Sequence, residues 1–97
     1  MAKAYLAGFL TLRDPVWLDE YRSKNLALVE KHGGRYLVAA PNPTRLEGRN
    51  PPDILIVMEF PSREAATAWY GDPDYQPLIR LRQSGADLEF VLAEGLA

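Results

Sequence analysis

The stretch DILIVMEF, residues 53–60, constrains the fold more than any other part of the chain. Successive side chains on a β-strand point to opposite faces. One face here carries Ile54, Ile56, Met58 and Phe60, and the other carries Leu55, Val57 and Glu59. A strand that is apolar on both sides belongs inside a sheet with something packed on each face. The pattern recurs in two more segments. In KAYLAGFLTL, residues 3–12, Leu6 and Leu10 oppose Tyr5 and Phe9. In GRYLVAA, residues 34–40, Tyr36 and Val38 oppose Leu37 and Ala39. A fully apolar central strand accounts for one such segment, but not for three.

The segments between these strands read as helices. Asp14-Pro15 predicts a helix start, with Asp14 capping free amides and Pro15 at the first helical position. The helix runs to about His32, where Gly33 takes the left-handed stop conformation. Residues 41–53, PNPTRLEGRNPPD, are a Pro- and Gly-rich excursion with room for a short extended RLEG. Ser62 caps a second helix that carries Ala65, Ala66, Ala68 and Trp69, and Gly71 and Pro73 break it. DYQPLIRLRQSG restarts a helix with Pro77 in its first turn, and ADLEFVLAEG is the last strand. The order β-α-β-β-α-β predicts an α+β, ferredoxin-like fold with an antiparallel sheet, residues 1–97 forming a single domain. The helices are too few to cover both faces of that sheet. A large apolar side chain is worth about 1.5–3 kcal/mol when fully buried, so the second face calls for a partner. The expectation is a homodimer through sheet-to-sheet packing.

Composition narrows the function classes. The net charge is -2 and the basic residues are scattered, so no nucleic-acid partner is expected. No run of about 18 apolar residues exists, so no membrane span is expected. The start MAKAYLAGFLTLRDP lacks a cleavage region and alternates like a strand rather than a signal peptide. With no cysteine, disulfides, thiol catalysis and cysteine-bound metal are excluded, and a cytoplasmic home is compatible. A single histidine without an acidic partner at helical spacing makes no metal site. No cofactor is expected either: neither G-x-G-x-x-G nor G-x-x-x-x-G-K follows a strand, and no G-x-S-x-G elbow is present.

The candidate site comes from the first helix. At about 100° per residue, Trp17, Leu28, Tyr21, His32, Asn25, Leu18 and Val29 share one sector, while Ala27 and Lys31 fall outside it. Three polar tips on a core-facing stripe need hydrogen-bond partners. Backbone groups at the core's edge could satisfy them; alternatively Tyr21, Asn25 and His32 line a small polar-tipped pocket between helix and sheet. In that case His32 is the candidate catalytic residue, able to move a proton near neutrality. In the second half, Tyr75, Leu78, Ile79 and Arg82 share a helix face, which turns Arg82 inward. An inward arginine calls for a carboxylate, with Glu59 a possible partner, or else forms an anion site. Trp69 reads as core, whereas Tyr70 points to an edge and could rim a cleft.

HGGRYLV, then LEG, then EFPSREAATAWYGDPDYQPLIRLR together resemble the bacterial family catalogued as domain of unknown function 1330. The resemblance runs from Ala4 to Gly95, and a longer Pro-rich loop from Pro41 to Pro52 departs from it locally. It implies membership of the dimeric α/β-barrel superfamily: a ferredoxin-like protomer with two sheets closed into a barrel across a dimer. Superfamily relatives include cofactor-independent monooxygenases, haem-degrading enzymes, muconolactone-isomerase-like proteins and ligand-sensing domains. The resemblance also places the usual pocket between helices and sheet. Three functions stay open: a cofactor-independent oxygenase- or isomerase-like enzyme for a small, mostly apolar substrate; a non-catalytic, metabolite-binding or stress-related module; and a structural dimer with a filled core. In the first two, the ligand-binding candidates are Tyr21, Asn25, His32, Tyr70 and Arg82.

Overall fold

The computed structural model describes residues 2–96. Its elements are β1 (Ala4–Leu12), α1 (Leu18–Lys31), β2 (Arg35–Pro41), β3 (Ile54–Phe60), α2 (Arg63–Tyr70), α3 (Gln76–Gln83) and β4 (Ala86–Glu94). The four strands form one antiparallel sheet in the order β2-β3-β1-β4. This is the α+β, ferredoxin-like arrangement, with DILIVMEF supplying an interior strand. The helices lie on one side of the sheet. They cover Leu6 and Leu10 of β1, Ile54, Met58 and Phe60 of β3 and Ala86 of β4, which pack with Trp17, Tyr21, Val29, Trp69, Tyr75 and Leu78. Cα extents of 35 × 32 × 16 Å describe a slab two layers thick.

Among the described residues nothing packs over the other face of the sheet. Cross-strand pairing aligns Val38, Val57, Ala7 and Val91 in one row, and Ala40, Leu55, Phe9 and Glu89 in the next. Phe9 is 41% exposed, Leu37 44% and Val91 57%. At one end of this face Glu59 accepts from Lys3 Nζ at 3.0 Å and Arg35 Nη2 at 2.7 Å. Those hydrogen bonds, Lys3 first, hold the Glu59 carboxyl below its ordinary range.

Three local readings need correction. α1 begins at Leu18, not Pro15. Asp14 Oδ1 accepts the Val16 N–H at 3.0 Å, and Leu18 N–H bonds Pro15 O at 3.0 Å, so a tight turn precedes the helix. The cause is tertiary. Arg13 and Asp14 N–H both bond Gly85 O, and the Trp17 indole packs so closely on Gly85 that a Cβ there would lie 2.4 Å from Trp17 Cδ1. Second, β2 shifts register between Tyr36 and Val38. Leu37 is the extra residue of a bulge, and Val38 consequently shares the open face with Val57, not the helix face with Tyr36. Third, RLEG forms no strand; residues 42–53 are irregular and mostly exposed. The stop at Gly33 is as expected: its φ is +77°, and Gly34 N–H bonds Val29 O at 2.9 Å. Ser62 caps α2 by accepting the Ala65 N–H at 3.0 Å.

Candidate functional site

Between α1 and the sheet lies a cleft of about 300 Å³. Leu10, Leu18, Leu26, Ile54 and Ile56 supply most of its wall, and Trp17, Tyr21, Arg22, Tyr36 and Ala39 complete it. The bulge matters here: past Leu37, Ala39 pairs with Ile56 and so returns to the helix side. An exposed alanine on edge strand β2 leaves the cleft mouth open. A groove of about 830 Å³ between α1 and α3 is larger. It is shallow outer surface whose walls include the exposed charged residues Glu20, Lys24, Asp74 and Arg80.

Behind the cleft two short hydrogen-bond chains run through the core. In the first, Arg82 Nη1 donates to the Tyr75 hydroxyl at 2.9 Å, and the Tyr75 and Tyr21 hydroxyl oxygens are 2.6 Å apart. In the second, Trp69 Nε1 donates to Asn25 Oδ1 at 3.0 Å, and Asn25 Nδ2 donates to the Tyr36 hydroxyl at 2.6 Å. Asn25, Trp69 and Tyr75 have no exposed surface. The rings themselves form a continuous aromatic row: Phe60–Trp69 at 5.5 Å, Trp69–Tyr75 at 4.4 Å, Tyr75–Tyr21 at 6.3 Å and Tyr21–Trp17 at 5.4 Å between centroids. Such pairs contribute about 0.5–1.5 kcal/mol each beyond their buried area, which fixes the phenols in place. Burial pushes the Tyr75 and Tyr36 phenols above their ordinary range, so both remain protonated.

The structure thus places Tyr21 and Arg82 in one buried chain and Asn25 in the other, and only Tyr21 of the three forms part of the cleft wall. His32 stands elsewhere. It caps the end of α1, and its Nε2 lies 2.8 Å from Asp72 Oδ2, which also accepts from Lys31 Nζ at 2.9 Å. Asp72 Oδ1 accepts the Asp74 N–H. The hydrogen bonds from His32, the Asp74 amide and Lys31 hold the Asp72 carboxyl far below its ordinary range. Tyr70 is 45% exposed and borders a separate cleft with Leu6, Ala66, Thr67, Phe90 and Leu92. Arg82 does not pair with Glu59. The two lie on opposite faces of the sheet, Arg82 under the helices and Glu59 with Lys3 and Arg35. Among the described residues no group of three or more His, Asp or Glu side chains could hold a metal. Tyr36 was not singled out from the sequence. Its alternation with Leu37 puts it on the helix face, but its contact with Asn25 joins separate elements and leaves no mark in the local pattern.

Residues 3–96 match the family described as Domain of unknown function (DUF1330). The chain belongs to this family. No curated protein matches the chain. Among solved structures, it is similar to a protein of unknown function from Rhodopseudomonas palustris, at 19% identity and TM-score 0.83 over 99% of this chain and 84% of that one. It also resembles SnoaB, a cofactor-independent oxygenase from Streptomyces nogalater, at 12% identity and TM-score 0.68 over 100% of this chain and 96% of that one. A third is a dimeric ferredoxin-like protein of unknown function from Bacteroides fragilis, at 13% identity and TM-score 0.58 over 98% of both chains. Likeness at these identities shows the shared fold. No described helix is long and apolar enough to cross a membrane.

Proposed function

We propose that the protein is a cytoplasmic homodimer that binds one small, mostly apolar metabolite per protomer in the cleft between α1 and the sheet. The observation that carries this reading is the cleft: about 300 Å³, walled by aliphatic and aromatic side chains, with two tyrosines as its fixed polar tips. The dimer is supported by the uncovered apolar sheet face and by the dimeric relative of the same fold. With no disulfide to form, the chain needs no oxidising compartment.

The activity that suits such a cleft is oxygenase- or isomerase-like turnover of a substrate that supplies its own electron-rich carbon, without a cofactor. SnoaB, of similar fold, is a cofactor-independent oxygenase. A second reading, a non-catalytic binding module, is favoured by one observation: His32 is engaged by Asp72 outside the cleft, where it reaches no ligand held there. In either reading His32 braces the end of α1, and Tyr21 is the first ligand contact.

A thermal-shift screen of compact aromatic and enol-like compounds tests the site. Compounds that bind at 100 times their Kd stabilise by about 2.7 kcal/mol. Ala39→Trp fills the cleft mouth from an exposed edge position and is expected to abolish those shifts while leaving the fold intact. Hits that persist undiminished in a folded Ala39→Trp variant would place the ligand elsewhere. Turnover of a hit compound then separates enzyme from module.

A further inference from the structure

We infer that the cleft is an acceptor-oxygen site: Tyr21 and Tyr36 both present hydroxyl protons to it, so its ligand is an apolar molecule bearing a carbonyl, enolate or phenolate oxygen. The inference rests on the cleft being the binding site and adds the chemistry of what fits there.

The argument is one of hydrogen-bond direction. A guanidinium donates and never accepts, so at 2.9 Å the Tyr75 oxygen is the acceptor from Arg82 Nη1. Tyr75 has no exposed surface, and its own proton has one partner within reach, the Tyr21 oxygen at 2.6 Å. If Tyr21 donated to Tyr75 instead, the Tyr75 proton would be buried without an acceptor, at a cost of about 1–3 kcal/mol. The chain therefore runs Arg82 to Tyr75 to Tyr21, and the Tyr21 proton is left over on the cleft side.

The second chain has the same polarity for a different reason. An indole N–H only donates, so Trp69 Nε1 fixes the Asn25 amide with Oδ1 toward the tryptophan. The Asn25 nitrogen then has to face Tyr36, whose oxygen accepts at 2.6 Å. The Tyr36 proton is likewise unused by the protein. Two independent donor-only anchors, one cationic and one neutral, thus make two phenols act as donors at the wall of one cleft. Burial keeps Tyr36 protonated, and the exposed Arg22 at the rim adds a positive charge rather than an acceptor. Among the residues of the cleft wall there is no carboxylate. An ammonium group therefore finds no carboxylate to pair with there, beside the Arg22 charge of like sign.

Three bicyclic probes of nearly equal shape test this by calorimetry: 1-tetralone, tetralin and 1-aminotetralin. Each is titrated into the wild type, Ala39→Trp, Tyr21→Phe, Tyr36→Phe and the double phenylalanine variant. The expected result is that 1-tetralone binds about tenfold more tightly than tetralin, equivalent to about 1.4 kcal/mol, and that 1-aminotetralin gains nothing over tetralin. The ketone's advantage falls in either single variant and vanishes in the double variant, while tetralin binding is retained. Equal binding of ketone and hydrocarbon, preference for the amine, or a ketone advantage that survives the double variant overturns the donor pair. If tetralin still binds and Ala39→Trp removes it, the cleft reading stands alone. If no probe binds, or Ala39→Trp leaves binding unchanged, the cleft reading falls and the donor pair with it.

Discussion

At the scale of single residues, the buried face of α1 and its outer end behave differently. The buried face is polar but neutral: Asn25 and Tyr21 are held by Trp69, Tyr36 and Tyr75. The outer end is ionic, with Lys31 and His32 converging on one oxygen of Asp72, a side chain only 4% exposed. Because the folded carboxyl titrates below its ordinary value, the unfolded chain takes up the proton first as pH falls. The contribution of Asp72 to stability is therefore complete above the unfolded value of about 3.9 and is lost as pH falls from there toward the lower folded value. Asp72→Asn should lower the denaturation midpoint at pH 7, and the gap to the wild type should narrow steadily below about pH 4. Urea titrations of both proteins across that range measure it. A gap that is constant with pH would mean the aspartate acts through packing and its amide bond alone.

At the scale of elements, the strands were legible because period-two alternation is a local property of the chain. DILIVMEF and KAYLAGFLTL land in β3 and β1, the two central strands, with the faces read from them. The helix ends were legible where backbone chemistry decides them, at Ser62 and Gly33. They were not where a distant segment decides. The start of α1 is set by Gly85 O and the seat of Trp17, some seventy residues apart in sequence. The bulge at Leu37 contains no glycine to announce it, yet it decides that Ala39 faces the cleft. The site was half legible for the same reason. Helical periodicity placed Tyr21 and Asn25 inward, and carried His32 with them. His32 is in fact the C-cap residue, and its side chain is engaged by Asp72 in the segment after α2 instead of lining the cleft. Gly34 shows how tightly this corner is closed: a Cβ there would lie 2.4 Å from Phe60 Cε1. Phe60 is 1% exposed and has nowhere to go. Gly34→Ala should cost about 1–3 kcal/mol in chemical denaturation, far more than alanine at the open loop position Gly71, where the nearest atom is 3.5 Å away.

At the scale of the whole molecule, a slab 16 Å thick has one finished face and one unfinished face. The row Val38, Val57, Ala7 and Val91 crosses all four strands, and none of the described helices covers it. In the proposed dimer a second copy lies against this row, and the Lys3–Glu59–Arg35 cluster sets the edge of the contact. A lysine at the centre of such a surface would place an ammonium group among apolar neighbours in the seam, with Glu59 already engaged by Lys3 and Arg35. Val57→Lys is expected to sediment as a monomer while keeping its circular dichroism. A wild type that is itself monomeric at micromolar concentration would remove the dimer from the proposal.

The proposed binding cleft opens on the other side of the sheet from that seam, beside edge strand β2. Two copies joined through their bare faces therefore carry their clefts on opposite outer skins, with two β-layers between them. Neither occupant touches the other, nor any residue of the other chain's seam. The pair would saturate as two equal and independent sites, with a Hill coefficient of one, and its response to metabolite concentration would be graded rather than switch-like.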